Sequence, residues 1–307
     1  SRRSARTLNV QIFARYGLAM LIAGLVMGIA LPPLARILEP WLTPLIGGLL
    51  FLSAWRIGWR NVLGQRADAL KTLILVAALQ VALPLTLAFV FMMLGWTGPL
   101  AQAVVLMSAG ATIAGSANIT QFLGHDGSAA LRLLVVGTAA LPLTVLPVFA
   151  VSGIAGAEDI GTFALRLLAL IGVSAGLGFL ARRLAPKVSA ASLDGAGALL
   201  MALVVIGIMA EVGPALVTAP GALMVTLAVA FAAGFGLQVA SYLAQQPSSA
   251  RVAVSVVAGN RNMALFIAAL PTETIAPLML FIGCYQVPMY LTPVLLSRFY
   301  GPAEGAD

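Results

Sequence analysis

The feature that most constrains this chain is an apolar segment, from about Val252 to Leu270, whose middle reads Gly259-Asn260-Arg261-Asn262. The segment is long enough to cross a bilayer as a helix. Gly-Asn weakens a helix, and an arginine in the hydrocarbon core costs from about 3 to more than 10 kcal/mol. A membrane helix broken by polar residues at mid-depth is tolerated only where it lines a cavity or is buried in protein. The segment therefore predicts a discontinuous span packed among other helices.

A second segment has the same pattern. Ala114-Gly115-Ser116-Ala117-Asn118 and Ala258-Gly259-Asn260-Arg261-Asn262 both read A-G-x-x-N, with their first residues 144 positions apart. That separation is close to half of the 307-residue chain. Two broken helices in matching positions of two halves are the best sequence indication of a transporter binding site.

The composition is that of an integral membrane protein. Hydrophobic residues make up 61% of the chain and charged residues 9%, and the mean hydropathy is +1.04, whereas a soluble domain carries about 25% charged residues. The net charge of +7 comes from residues in links between spans, where it sets membrane orientation rather than indicating nucleic acid. A lone cysteine, Cys284, excludes a disulfide or a thiolate metal site within one chain, and we expect it to be a buried core residue.

We predict an all-α integral membrane protein with about ten spans and short links. The predicted spans are 16–35, 41–59, 71–95, 99–123, 128–151, 160–183, 196–218, 220–245, 252–271 and 275–300. The boundary between halves falls near Glu158-Asp159, so that residues 1–157 and 158–307 each hold five spans. Because five is odd, the second half must insert upside down relative to the first, which is the inverted repeat of many secondary transporters.

The basic residues predict the orientation. With the N-terminus placed inside, only Arg36 and Arg166 fall in outer links, and Arg261 belongs to neither side. This asymmetry predicts that both termini lie in the cytoplasm, with the protein in a cytoplasmic (inner) membrane of the bacterial type. The inner segments hold Arg2, Arg3, Arg6, Arg15, Arg56, Arg60, Arg66, Lys71, Arg132, Arg182, Arg183, Lys187, Arg251 and Arg298.

The residues around both breaks resemble the bile acid:sodium symporter family, within the bile/arsenite/riboflavin transporter superfamily, as a divergent member. The stretch from Gly110 to Thr120 resembles the family's G-G-T-x-S-N-x-x-T segment. The stretch from Val257 to Asn262 resembles its E-x-G-x-Q-N segment. Span 3 carries Gln80 and Pro84, where the family has a Gln and a Pro one residue further apart.

The resemblance implies a fold and a function. Spans 4 and 9 would be discontinuous and cross near the bilayer centre, with a panel domain of spans 1, 2, 6 and 7 and a core domain of spans 3–5 and 8–10. Substrate would bind beside the crossing, and the family carries organic anions driven by two sodium ions. Asn118 is aligned with the family's Asn, and Ser116, Asn118 and Thr138 resemble its first sodium site, although the preceding Ser is here Ala117.

Two departures bear on ion coupling. Val257 stands where the family has a sodium-binding glutamate, and Arg261 where it has a glutamine. A guanidinium does not deprotonate in proteins, and it would repel a sodium ion about 4 Å away by several kcal/mol.

Three roles for Arg261 remain open. Its charge could replace bound sodium by satisfying carbonyl oxygens at the break, it could pair with a substrate carboxylate, or it could be a purely structural tie. Intramembrane ionisable residues are functional by default, which favours the first two.

Other polar residues have two readings each. Asn260, Asn262 and Asn118 either line the cavity or crossing or cap a half-helix. Thr112, Ser116 and Thr138 either bind ligand or pack helices. Gln80 either faces the crossing or forms an interhelical hydrogen bond. His125 and Glu211 are candidate proton sites, and the alternatives are a solvated turn for His125 and an interfacial residue for Glu211.

The sequence favours a secondary transporter of small organic anions that works by alternating access without sodium. The alternatives are a symporter that keeps one sodium site and a membrane sensor that binds a ligand without moving it. No catalytic arrangement, metal site or cofactor is expected, and sodium is the one open question. The expected partners are membrane lipid and the substrate; substrate identity and oligomeric state do not follow from the sequence.

Overall fold

The computed structural model describes residues 19–57, 66–154 and 159–301. In this part of the chain the regular elements are all helical, and the one β feature is an isolated antiparallel bridge. Seven helical stretches in this part of the chain are long and apolar enough to cross a membrane, counting as one stretch those helices that a short 3₁₀ or π segment joins. These residues therefore have the structure of a multi-pass membrane protein. Arg2, Arg3, Arg6, Arg15, Arg60 and Glu158, on which part of the predicted topology depends, lie outside the described residues.

The first half of the chain contains eight helices in the described residues. They are α1 (Ala19–Ala30), α2 (Pro32–Leu38), α3 (Leu42–Ile57), α4 (Arg66–Ala77), α5 (Leu83–Met93), α6 (Pro99–Ala109), α7 (Ser116–Phe122) and α8 (Ser128–Ser152). A π-helical segment, Ala78–Ala82, joins α4 to α5. The break between α6 and α7 confirms that predicted span 4 is discontinuous.

The described residues of the second half contain nine α-helices. They are α9 (Ile160–Leu184), α10 (Ala190–Ile208), α11 (Val212–Thr218), α12 (Pro220–Ala244), α13 (Arg251–Gly259), α14 (Ala264–Ala269), α15 (Thr272–Ile275), α16 (Met279–Leu295) and α17 (Ser297–Tyr300). The break between α13 and α14 confirms that predicted span 9 is discontinuous.

Three predicted span boundaries are wrong. The helix α4 begins at Arg66, five residues before the predicted start of span 3, and the other two errors have a clear local cause. Span 1 was expected to run unbroken to residue 35, but α1 ends at Ala30 because Leu31 precedes Pro32, and a residue before proline is disfavoured in the α region. Span 7 was expected to begin at residue 196, but α10 begins at Ala190. Ser189 caps it there, its hydroxyl accepting a hydrogen bond from the Ser192 amide at 3.0 Å.

The helices pack as two groups. One group contains α1–α3 and α9–α11, and the other contains α4–α8 and α12–α17. In the first group α1 packs on α10 and α9 packs on α3, and both crossings are built alike. Gly28 lies against the Met209 side chain and the carbonyl oxygen of Ile206, and Gly178, 150 residues later, lies against the carbonyl oxygen of Phe51 and the side chain of Ala54. A side chain at either glycine would overlap the facing helix.

Prolines recur in the second group. The helix α8 contains Pro142 and Pro147, and α16 contains Pro288 and Pro293, each 146 residues after its counterpart. Each of these prolines removes one backbone N–H, and hence one helical hydrogen bond, from its helix.

Polar contacts at one end of the bundle hold together helices of the same group. Arg56 of α3 pairs with Asp194 of α10 at 2.7 Å, and Arg132 of α8 lies 3.8 Å from Asp68 of α4. We call this the basic end.

Two sets of contacts between the groups lie toward the other end. Phe163 of α9 packs against Phe149 of α8 and Phe266 of α14, with ring centroids 4.7 and 6.1 Å away. Gly283 of α16 packs against Val212 at the start of α11.

Candidate functional site: the crossing of two broken helices

The two helix breaks meet in a short antiparallel bridge between Thr112 and Arg261. The Ile113 amide donates to the Asn260 carbonyl at 3.2 Å, and the Asn262 amide donates to the Ala111 carbonyl at 2.7 Å. Each broken helix thereby provides hydrogen-bond partners for backbone groups that the break in the other helix leaves without helical partners. Non-helical backbone at membrane depth requires such internal pairing.

Arg261 is the largest fully buried side chain in the described part of the protein, with 1% of its surface exposed. Its guanidinium donates three hydrogen bonds to backbone carbonyls: Nε to Ala258 at 3.1 Å, Nη1 to Gly110 at 3.1 Å and Nη2 to Leu79 at 3.0 Å. Ala258 and Gly110 lie at the carboxyl ends of α13 and α6, which carry partial negative charge. The charge of Arg261 therefore bridges the negative ends of two half-helices.

The third acceptor exists because of a proline. In the π-helical segment the Leu83 amide donates to Ala78 rather than to Leu79. The next residue along, Pro84, has no N–H to donate. The Leu79 carbonyl is therefore left without a helical donor, and Arg261 supplies one.

No carboxylate among the described residues forms an ion pair or a hydrogen bond with Arg261. Neutral carbonyl dipoles solvate the guanidinium but do not cancel its net charge. The described acids are Glu39, Asp68, Asp126, Asp159, Asp194, Glu211 and Glu273. The crossing thus holds one positive charge that no partner in the described part of the chain neutralises.

Tyr285 of α16 also holds the crossing. Its hydroxyl donates to the Gly259 carbonyl at 2.6 Å and accepts from the Arg261 amide at 2.8 Å. No pattern in the sequence singles out Tyr285. A tyrosine inside an apolar span must find a polar partner when it is buried, but the sequence does not say which one.

Asn260 faces its neighbours rather than a cavity. Its side-chain amide donates to the Val256 carbonyl at 2.8 Å, and its side-chain carbonyl accepts from the Thr292 hydroxyl at 3.3 Å. The Asn260 backbone carbonyl accepts from the Thr112 hydroxyl at 3.0 Å. Asn260 and Thr112 therefore lie in the crossing, and the Asn260 side chain also bonds to the last turn of α13.

Gln80 forms an interhelical hydrogen bond, which is one of the two roles that the sequence leaves open for it. Its side-chain carbonyl accepts from the Thr144 hydroxyl of α8 at 3.0 Å. Gly137 lies so close to the Gln80 side-chain nitrogen that a methyl group there would overlap it. It is the preceding residue, Leu79, that contacts Arg261.

Asn118 lies outside the bridge, so the register implied by the A-G-x-x-N match is wrong, whereas the predicted place of Asn118 in the lining of the cavity stays a prediction. It lies on the exposed face of α7, and Ala114 within the break is also exposed, while Asn262 is partly exposed. The A-G-x-x-N match is the cause of the error. Because Thr112 pairs with Arg261, the Ala-Gly at 114 follows the bridge in span 4, whereas the Ala-Gly at 258 precedes it in span 9.

No hydrogen bond among the described residues links Ser116, Asn118 and Thr138, the three residues of the predicted residual sodium site. Asn118 is exposed and Thr138 is partly buried. The Ser116 hydroxyl is buried and has no hydrogen-bond partner. That hydroxyl is the one member of the set whose environment fits a cation ligand.

The two candidate proton sites lie in turns away from the bridge. The His125 Nε2 lies 3.2 Å from the Gly301 carbonyl oxygen, in the link between α7 and α8. The adjacent Asp126 bonds to Ser128, and these bonds hold the pKa of its carboxyl below the usual value. Glu211 is exposed in a 3₁₀ turn between α10 and α11.

No protein-family model matches the chain, and no curated protein gives a significant sequence match. The described residues contain no group of three or more His, Cys, Asp or Glu that could hold a metal ion.

Proposed function

We propose that this protein is a secondary transporter of small organic anions that works by alternating access without sodium, with Arg261 in the place of a sodium ligand. The observation that carries the proposal is the set of three hydrogen bonds from the Arg261 guanidinium to the carbonyls of Ala258, Gly110 and Leu79. Carbonyl oxygens at half-helix ends are the groups that coordinate sodium in transporters with broken helices. Here a fixed cation takes those hydrogen bonds.

The proposed architecture is two inverted five-span repeats. Corresponding contacts support it. Gly28 of α1 packs against α10 in the second half, and Gly178 of α9 packs against α3 in the first half, as a two-fold relation between the halves requires. The prolines of α8 and α16 recur at a similar offset. We propose the group of α1–α3 and α9–α11 as the panel domain and the other group as the core domain, as in the bile acid:sodium symporter family that the sequence resembles.

The proposed substrate cleft lies between these domains and opens at the basic end. Exposed non-helical backbone is not tolerated against lipid, so the exposed Ala114 and the neighbouring Asn118 support a water-filled cleft. The interdomain contacts of Phe163 and Gly283 lie toward the opposite end. With the basic end in the cytoplasm, as the positive-inside rule predicts, this conformation faces inward.

The charge of Arg261 favours an anion in that cleft. An anion about 8 Å from an uncompensated guanidinium is attracted by about 2 kcal/mol at an effective dielectric constant near 20. The exposed Asn118 and partly exposed Asn262 offer amide donors for a carboxylate or sulfonate.

The test is flux into proteoliposomes containing the purified protein. Radiolabelled taurocholate and a set of small mono- and dicarboxylates would be offered in sodium chloride and in choline chloride of equal ionic strength. The proposal expects carrier-dependent uptake of at least one anion, at equal rates in both salts. Uptake that is strictly sodium-dependent contradicts the sodium-independent mechanism, and the absence of flux for every anion in the set contradicts the transporter.

A second candidate is a symporter that uses one sodium ion. The buried, unpartnered hydroxyl of Ser116 favours it, since buried polar groups normally have a partner. In that case uptake would require sodium, and Ser116→Ala would abolish the requirement or the uptake, whereas Ser108→Ala would not. Ser108 is a suitable control because its buried hydroxyl already donates to the Val105 carbonyl.

A further inference from the structure

We infer that Arg261 makes the conformational equilibrium of the empty transporter depend on the membrane potential, with inside-negative potentials favouring the inward-facing state. This inference rests on the proposed alternating access and adds a property that sodium-coupled transporters obtain from mobile ions. Here the charge is part of the chain and cannot leave.

The charge of Arg261 is permanent, and no described residue compensates it. The Arg261 side chain is 1% exposed, and its partners are three neutral carbonyls. None of the described carboxylates pairs with it. A guanidinium stays protonated in proteins, so the crossing carries one positive charge whenever it is empty.

The voltage dependence arises from where the electric field falls across the protein, and not from movement of the Arg261 side chain. In an inward-facing state the water-filled cleft connects the crossing electrically to the cytoplasm, and the potential drops across the closed opposite half. In an outward-facing state the drop lies on the other side of the crossing. Switching between the two states therefore carries the Arg261 charge through much of the field, even if the guanidinium keeps its three hydrogen bonds.

The size of the effect follows from the work done on that charge. One elementary charge crossing the whole field is worth about 2.3 kcal/mol per 100 mV, which corresponds to a change of up to about 50-fold in the ratio of the two states. An inside-negative potential holds the empty protein inward-facing. The proposed cleft opens at the basic end, which is the end proposed to be cytoplasmic.

Substrate changes this balance. A monovalent anion bound beside the crossing brings the net charge of the site to zero, so reorientation of the loaded protein is insensitive to the potential. When the empty protein returns to the outward-facing state, the Arg261 charge moves against an inside-negative potential. When the loaded protein makes the same change, no net charge moves. The transporter therefore favours exchange of anions over net movement.

The experiment needs no substrate. Ala114→Cys, in a Cys284→Ala background, places a single thiol on the exposed face of the break, and Cys284, the chain's single cysteine, is buried. Labelling by a membrane-impermeant thiol reagent is followed from the outer face in right-side-out vesicles and from the inner face in inside-out vesicles. Potassium gradients with valinomycin set the potential.

The expected result is a rate of outer-face labelling that falls by up to about 50-fold from 0 to −100 mV. Arg261→Gln should remove this dependence, and Arg261→Lys, which keeps the charge, should retain it. Outer labelling of the Arg261 protein that is independent of potential overturns the inference, whatever the variants do, and so does an equal response of the Gln variant. A thiol at position 114 that is unreactive from both faces instead contradicts the proposed cleft and hence the transporter itself.

Discussion

The Nη2 of Arg261 lies 3.0 Å from the carbonyl oxygen of Leu79, and this hydrogen bond ties span 9 to the π-helical turn of span 3. The acceptor is available because Pro84 cannot donate to it. Pro84 thus leaves the Leu79 carbonyl oxygen free to become one of the three acceptors of the Arg261 guanidinium, which belongs to the other half of the chain.

Pro84→Ala should weaken this arrangement. An alanine restores an N–H at position 84 and allows residues 78–82 to return to α-helical register, in which the Leu83 amide bonds to Leu79. Loss of the charge-assisted hydrogen bond to Arg261 would lower stability by about 1.5–3 kcal/mol, measured as a lower unfolding temperature in detergent. The control is Pro220→Ala, at the first turn of α12, where the missing N–H has no helical partner in any case. Equal effects of both substitutions would contradict the role given to Pro84.

Tyr285→Phe should destabilise the crossing. It leaves the Gly259 carbonyl and the Arg261 amide without the partner that both now have, and each buried unsatisfied group costs about 1–3 kcal/mol. Tyr290→Phe is the matched control. Tyr290 is also buried in α16, but its hydroxyl donates only to Gln286, one turn away in the same helix. We expect the larger drop in unfolding temperature for Tyr285→Phe, and the reverse order would show that Tyr285 does not support the crossing.

Gly259→Ala should prevent α13 from packing on α12. An added methyl group would overlap the Gly234 carbonyl and the Gln238 side chain, and overpacking of this kind typically costs about 1–3 kcal/mol or more. Gly236→Ala, on α12, has no heavy atom within 4 Å of the added carbon and should be neutral or slightly stabilising. The yield of monodisperse protein on size-exclusion chromatography and the unfolding temperature measure the difference. Wild-type behaviour of Gly259→Ala would mean that α12 and α13 do not approach as closely as described.

Replacing Arg261 itself should cost more than any of these changes. Arg261→Met leaves three buried carbonyls without donors, at about 1–3 kcal/mol each. Arg261→Lys keeps the charge and can reach some of the three, so its unfolding temperature should lie between those of the wild type and the Met variant. A Met variant as stable as the wild type would remove the structural basis of the account.

The broken spans could be predicted from the sequence because Gly-Asn-Arg-Asn cannot continue a helix in lipid, and the structure confirms both breaks. The pairing of Thr112 with Arg261 could not, because the A-G-x-x-N match suggested a register shifted by several residues. A five-residue pattern in a chain rich in Ala and Gly carries too little information to fix which residues meet across a two-fold relation.

The chemical type of the groups that bind Arg261 could be predicted from the sequence, but not all of the residues that supply them. Carbonyl oxygens at a helix break were expected from the dipole of the half-helices, and Ala258 and Gly110 supply them. The Leu79 carbonyl was not foreseen, because it is freed by a π-helical register that no sequence pattern used here identifies. Tyr285 was missed for a related reason: an apolar helix does not show which of its faces turns inward.

The most direct test of the central claim is sodium binding by the purified protein. The unfolding temperature would be followed in detergent while sodium chloride replaces choline chloride at constant ionic strength, with potassium chloride as the second control. If Arg261 occupies the cation position, sodium should produce no saturable increase beyond that of potassium. A sodium-specific, saturable increase, of the size expected for a ligand that binds only the folded state (about 2.7 kcal/mol at 100 times its Kd), would contradict the account.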